Sequence, residues 1–121
     1  EQVEELDFNG VVYTVAGILN ADDLALLPSK IKMLPNYPNP FNPVTNIKFE
    51  LPEETYVSIR VVDVLGRLVR SLINEERIAG GYHHIKWDGL TDSGTSASSG
   101  VYLIHFSSNN YNKYYKALLI K

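Results

Sequence analysis

His83 and His84 are the residues most suited to metal chemistry, with His105 as a more distant third. Their spacing argues against a shared ion. They fall in a stretch of strand character, where neighbouring side chains point to opposite faces, so the pair cannot chelate one metal from a regular strand. A three-histidine site needs His105 beside His83 and a further ligand. Half-buried strand histidines are the simpler reading. The segment Asp88–Gly100 offers Asp88, Asp92, Ser93 and several hydroxyls, an oxygen-rich set of the kind calcium takes. It lacks both the alternating Asp/Asn pattern and the closing Glu of an EF-hand. Asp88 and Asp92 are expected instead to accept backbone N–H groups and shape the turn.

Nucleophilic catalysis finds no support. There is no Gly-x-Ser-x-Gly elbow, and the chain contains no cysteine, which also removes disulfides and thiolate metal ligands. Glu53-Glu54 and Glu75-Glu76 are adjacent carboxylates expected in exposed hairpin loops, with nothing to separate their pKa values. No glycine-rich phosphate loop leads into a helix. The eight tyrosines and Trp87 suit sugar stacking in principle. In a small β-domain they are expected to fill the core and pair across strands. The residues therefore imply no enzyme, no cofactor and no metal site.

The elements that would position these residues are short strands. Thr45–Leu51 alternates Ile47, Phe49 and Leu51 with Asn46, Lys48 and Glu50. In Tyr56–Asp63, Val57, Ile59 and Val61 share one face. Asp63-Val64-Leu65-Gly66 reads as a tight turn, with Arg67–Ile73 returning as the second strand of a hairpin. Asn74–Gly81 reads as a polar loop. Tyr82–Asp88 places His83, Ile85 and Trp87 on one face. Gly89–Gly100 is a loop. Gly100–Ser107 is apolar on both faces, as a central strand would be. Tyr111–Lys121 follows the Asn109-Asn110 turn. Six or seven such strands without a long helix predict an all-β fold, an antiparallel β-sandwich with Phe49, Ile59, Val61, Trp87, Tyr102 and Ile104 in the core.

Composition agrees with a single small domain: 121 residues, 45% hydrophobic and 21% charged, with net charge −3. No apolar run is long enough to span a bilayer as a helix. Up to residue 29 there are six acidic residues and no Lys or Arg; the remainder holds 11 basic and eight acidic residues without a cluster, which is no nucleic-acid footprint. The charge break near Pro28 predicts a boundary. Residues 1–27 read as a linker or the tail of a preceding domain, with one strand at Val11–Ala16 and a short helical turn over Ala21–Leu27, or as an edge strand added to the sandwich at 28–121. Between them lies Tyr37-Pro38-Asn39-Pro40-Phe41-Asn42-Pro43. Its three prolines lack amide donors and restrict φ, so this segment can be neither helix nor central strand.

Taken together, the proline run with Val44-Thr45, Ile47-x-Phe49-x-Leu51-Pro52, Val62-Asp63-Val64-Leu65-Gly66-Arg67-x-Val69, Gly81-x-His83, Trp87-Asp88-Gly89, Ser99-Gly100-Val101-Tyr102 and Lys116–Lys121 resembles the type A C-terminal sorting domain of the type IX secretion system. The resemblance spans about Pro28–Lys121. It departs from the family's pattern at the doubled His83-His84 and at Pro35. A related resemblance, through the Trp-Asp-Gly loop, is to the immunoglobulin-like part of flagellar hook-capping proteins.

The resemblance implies an immunoglobulin-like sandwich that serves as a non-catalytic address on a larger exported protein. Its partners would be an outer-membrane translocon, a sortase-like protease and the upstream cargo domain of the same precursor, with delivery to the cell surface or medium. The family's motifs fall on Pro38, Asn39 and Pro40, on Gly100 and Tyr102, and on Lys116 to Lys121. The alternative reading is an accessory binding or spacer sandwich on a secreted enzyme, of the carbohydrate-binding type, which a planar strip of three exposed aromatics would favour. Two further expectations concern the terminal strand: that its free edge accepts an added strand, and that removing Lys116–Lys121 costs little stability.

Overall fold

The computed structural model describes residues 27–121. The strand expected at Val11–Ala16, and all but the last residue of the turn expected at Ala21–Leu27, lie outside the described residues. Seven strands follow: β1 (Lys32–Met33), β2 (Thr45–Leu51), β3 (Thr55–Asp63), β4 (Leu68–Ile78), β5 (Gly81–Trp87), β6 (Gly100–Ser108) and β7 (Tyr111–Leu119). They form two antiparallel sheets, ordered β1-β2-β5 and β4-β3-β6-β7. The architecture is the predicted all-β immunoglobulin-like sandwich, and the described residues contain no helix.

Period-two patterning produces this packing directly. Thr45, Ile47, Phe49 and Leu51 of β2 are buried between more exposed neighbours, and Val57, Ile59 and Val61 of β3 face them from the other sheet. Phe49, Ile59, Val61, Trp87, Tyr102 and Ile104 are all buried, as the sequence predicts. Among the described residues, the expectation that tyrosines fill the core holds for Tyr102, which is buried, and in part for Tyr111 and Tyr115, which pack against the core. Tyr37, Tyr56, Tyr82 and Tyr114 are exposed: the last three occupy outward positions of their strands, and Tyr37 bridges the outward-facing Asn46 from the proline segment.

Two boundaries differ from the sequence reading. The expected loop Asn74–Gly81 is mostly strand: β4 continues to Ile78, with Thr55 opposite Ile78 and Val57 opposite Glu76. A bulge reconciles the polar sequence with pairing. Between Val57 and Ile59 the β4 chain carries an extra residue, Glu75 takes φ 48°, and its N–H donates to Ser58 Oγ. Glu75 and Glu76 are thus solvent-facing strand residues rather than loop residues. The second difference is β1, where two residues pair with Glu50 and Phe49, too short a run to carry periodicity.

The hairpin turn forms as its residue types require. Asp63 Oδ1 accepts the N–H groups of Leu65 and Arg67, each at 2.9 Å, and Asp63 Oδ2 accepts Arg67 Nε at 2.8 Å. Gly66 sits at φ 84°, a conformation that side-chain-bearing residues rarely adopt. The Asp63 carboxyl is held below the usual carboxylate range, first by the Arg67 backbone N–H, against partial burial, with the Arg67 side chain and the Leu65 N–H adding. A carboxyl depressed in the folded state stabilises the fold above its unfolded value, about 3.9. That contribution is lost as pH falls through the lower folded value. Asp63→Asn should therefore melt below the wild type at pH 7, with the gap closing below about pH 4. A gap that is constant with pH would show that the carboxylate's charge is not involved.

Candidate functional site

The three sequence motifs meet at one end of the sandwich. The proline segment runs alongside the end of β7. Asn39 Nδ2 donates to Lys116 O at 2.8 Å, and Asn39 Oδ1 accepts from Leu118 N at 2.9 Å. Phe41 then continues as backbone: its N–H donates to Leu118 O at 2.9 Å, and its carbonyl accepts from Ile120 N at 3.0 Å. The Asn39 amide imitates a peptide group at a point where the adjoining prolines supply no donor. Thr45 Oγ1 donates to Pro38 O at 2.8 Å and accepts from Asn36 Nδ2 at 3.2 Å, which secures the near side.

This latch narrows the expectation of a free terminal edge to the part of β7 before Lys116. β7 is an edge strand, but its last residues are already paired with Asn39 and Phe41. It also corrects the expectation that residues 116–121 contribute little. Ala117 and Leu119 are fully buried, and Lys121 N–H donates to Ser99 Oγ at 3.1 Å. Pairing with β6 makes this terminus part of the core, whereas a terminal segment ordinarily carries few contacts.

Each predicted motif residue can be placed. Pro38, Asn39, Pro40, Lys116 and Lys121 are exposed. Gly100 pairs with Leu119, and Tyr102 pairs with Ala117. Tyr102 is buried, its hydroxyl donates to Ser98 O at 2.6 Å, and burial, with the nearby Asp63 charge, pushes the phenol's pKa up. Trp87 lies between Phe41 at 5.4 Å and Tyr102 at 5.3 Å, ring centre to ring centre, and its Nε1 donates to Leu90 O at 3.0 Å. Phe41 and Trp87 therefore join the latch to Tyr102. The sequence offers Tyr37 and Phe41 as anchors of the proline segment; Phe41 is buried and Tyr37 is exposed. The partners of Phe41 and of Asn39 on β7 lie nearly 80 residues away and have no local signal.

The Trp87-Asp88-Gly89 motif has a local account. Asp88 Oδ1 accepts Leu90 N–H, closing an Asx-type turn as expected. Gly89 has φ 77°, and a Cβ there would come within 3.1 Å of Pro43 O. A side chain at 89 would press on the latch. Asp92 accepts a backbone N–H as expected, but from Ser71, at 2.9 Å, so it pins the loop to β4 rather than shaping its own turn.

The candidate chemistry is dispersed. His83 and His84 point to opposite faces of β5, as predicted. His83 stacks on Phe49 and its Nε2 donates to Ala79 O, while His84 is exposed. His105 is on the other sheet, stacked on Tyr114 at 4.2 Å. Arg60 Nη2 donates to its Nδ1, which places the ring proton on Nε2, facing Asn112 Oδ1. Thr91, Ser93 and Thr95 direct their hydroxyls at one another. Tyr37 and Tyr82 lie on one outer face, and Tyr56 and Tyr114 on the other, so among the described residues neither face carries three exposed aromatics in a strip.

The latch can be tested alone. Asn39→Ala removes two hydrogen bonds at an exposed site and is expected to cost about 1–2 kcal/mol. Asn39→Asp should recover part of this, since a carboxylate can still accept from Leu118 but cannot donate to Lys116. Urea denaturation measures both, and faster hydrogen exchange at the Leu118 amide should accompany each. An unchanged Leu118 amide in Asn39→Ala would count against the latch.

The fold and the converged motifs thus define a rigid β-sandwich built around a terminal latch. The secretion system C-terminal sorting domain family matches residues 36–121, and the chain belongs to that family. It is a C-terminal sorting signal of the type IX secretion system, which directs export to the cell surface or medium, and this signal family is non-catalytic. Among solved structures, dimeric latent PorU from Porphyromonas gingivalis matches with TM-score 0.61 and 22% identity over 74% of this chain and 9% of that one. PorZ from the same organism, described as an essential bacterial surface component of the type IX secretion system, matches with TM-score 0.49 and 21% identity over 75% of this chain and 11% of that one. FlgD from P. aeruginosa matches with TM-score 0.51 and 23% identity, covering 77% of this chain and 71% of that one. The chain thus spans about a tenth of the PorU and PorZ chains. Comparison with curated proteins finds no match.

Proposed function

We propose that Pro38-Asn39-Pro40, Gly100-Val101-Tyr102 and Lys116–Lys121 act as one composite address, read by an outer-membrane translocon. On this reading the chain before Pro28 joins the cargo and is cut by a sortase-like protease. The observation that carries the proposal is the pair of Asn39 bonds to Lys116 and Leu118, which makes one surface of motifs far apart in sequence. Geometry adds support. The chain enters at Lys32, opposite Glu50 at the far end of β2, whereas the composite surface lies at the Thr45 and Gly100 ends. Cargo and address are separated by a strand length, about 20–25 Å.

The test is a reporter fused upstream of Pro28, expressed in a bacterium that exports its own cargo by this system. The intact fusion should reach the surface. A Lys116→Ala/Lys121→Ala variant changes only exposed side chains; it should remain folded by circular dichroism and lose surface delivery at least about tenfold. Retention of the intact fusion in the periplasm would refute the address. Normal delivery of the folded double variant would remove Lys116 and Lys121 from it.

A further inference from the structure

We infer that the outer face of the four-stranded sheet, at its latch end, is a docking surface for a protein of the secretion apparatus that presents an apolar patch with an acidic rim. The inference rests on the sorting reading and extends its address: Val101 and Leu118 belong to both, and Val62, Leu68 and Leu103 carry the surface across the sheet.

The face is divided across its length. Toward the entry end its cross-strand neighbours are polar: Ser58 with Ser107, Ser107 with Asn112, Arg60 with His105, and His105 with Tyr114. One step toward the latch end they become aliphatic. Val62 lies opposite both Leu68 and Leu103, and Val101 lies opposite Leu118. Directly opposed residues share a face, so these five side chains form one continuous apolar area on the solvent side. Leu68 is 54% exposed and Val101 38%. The adjoining hairpin tip adds Val64 and Leu65, at 67% and 74%, on a turn stiffened by Asp63. A contiguous exposed apolar area of this kind marks an interaction site.

Charge identifies the occupant. Arg60, Arg67, Lys116 and Lys121 surround the patch. Two carboxylates border it, each beside an arginine: Asp63 is bonded to Arg67, and Asp92, which accepts the Ser71 N–H, lies 4.0 Å from Arg70 Nε. The five glutamates among the described residues lie at 50–54 and 75–76, at the other end. A cationic rim opposes a second copy of the same face and complements an acidic one. A membrane surface is the weaker fit: interfacial segments carry aromatic anchors among their aliphatics, and the four exposed tyrosines among the described residues lie off the patch.

The experiment uses the reporter fusion with Leu68→Glu/Val101→Glu, and Tyr56→Glu on the polar part of the same face as control. Both variants should fold. The double variant should lose surface delivery at least about tenfold, while Tyr56→Glu remains within about twofold of wild type. If the glutamates lower the melting temperature by more than a few degrees, Leu68→Gln/Val101→Thr replaces them and should show the same ordering. A photo-crosslinking residue at 101 should capture an outer-membrane component of the secretion apparatus in exporting cells, and one at 56 should not. Normal export of the folded double variant overturns the inference, as does crosslinking at 101 only to a second copy or to lipid. Failure of the intact fusion to be exported refutes the sorting reading itself, a separable result.

Discussion

Deleting Lys116–Lys121 is expected to unfold the domain rather than trim it. The deletion removes Leu119, 1% exposed, and Ala117, fully buried. It also removes the partners of Gly100, Val101, Tyr102 and Leu103 on β6, and the groups that hold Asn39 and Phe41. Loss of a buried leucine alone costs about 2–5 kcal/mol. The orphaned backbone of β6 and the released Phe41 add to that, so the total should exceed about 5 kcal/mol, comparable to the whole stability of a small domain. Circular dichroism and a thermal melt of the truncated protein measure this. A cooperative melt within a few degrees of wild type would show that β7 is dispensable beyond Tyr115. Loss of export after this deletion cannot by itself identify a terminal signal, because a collapsed address and a missing one look alike. Removing only Ile120 and Lys121, both exposed, is the cleaner truncation.

Trp87→Ala should have the second large effect, about 3–5 kcal/mol. The indole is fully buried, packs against Phe41 and Tyr102, and bonds Leu90 O through Nε1. Its removal opens a cavity where the latch, the two sheets and the Gly89 loop meet. The alanine variant should also loosen the proline segment, because Phe41 loses a face of its pocket. Equilibrium denaturation gives the magnitude. As the chain's one tryptophan, Trp87 reports on itself, and a red-shifted emission maximum of the exposed type in the folded wild type would contradict the burial.

Much of this fold was legible from alternation. Ile47, Phe49 and Leu51, and Val57, Ile59 and Val61, declare an inner face because side chains in a strand alternate strictly, so a short segment carries its own orientation. Turn chemistry was equally local: Asp63 and Gly66 announced the hairpin, and Asp88 its Asx turn. The strand content of 74–78 was hidden, because Asn74-Glu75-Glu76-Arg77 is polar and its pairing depends on a bulge opposite Ser58. The exposure of the tyrosines was hidden for a related reason, since aromatic type does not say which face a strand turns inward.

The sequence by itself determined the inner-face patterns, most strand positions (apart from Lys32–Met33 and residues 74–78), the proline segment that can be neither helix nor central strand, and the family resemblance that the match over residues 36–121 bears out. Those properties rest on residue type and near-neighbour spacing. Only the tertiary structure decided where the motifs stand relative to one another. Asn39 meets Lys116 and Leu118, and Phe41 meets Trp87, across 46 to 79 positions. Contacts at that separation are set by how two sheets close on a shared core, and no local pattern encodes them. The same closure latched the end of the last strand, and brought Val62, Leu68, Val101, Leu103 and Leu118 from four strands into a single apolar face.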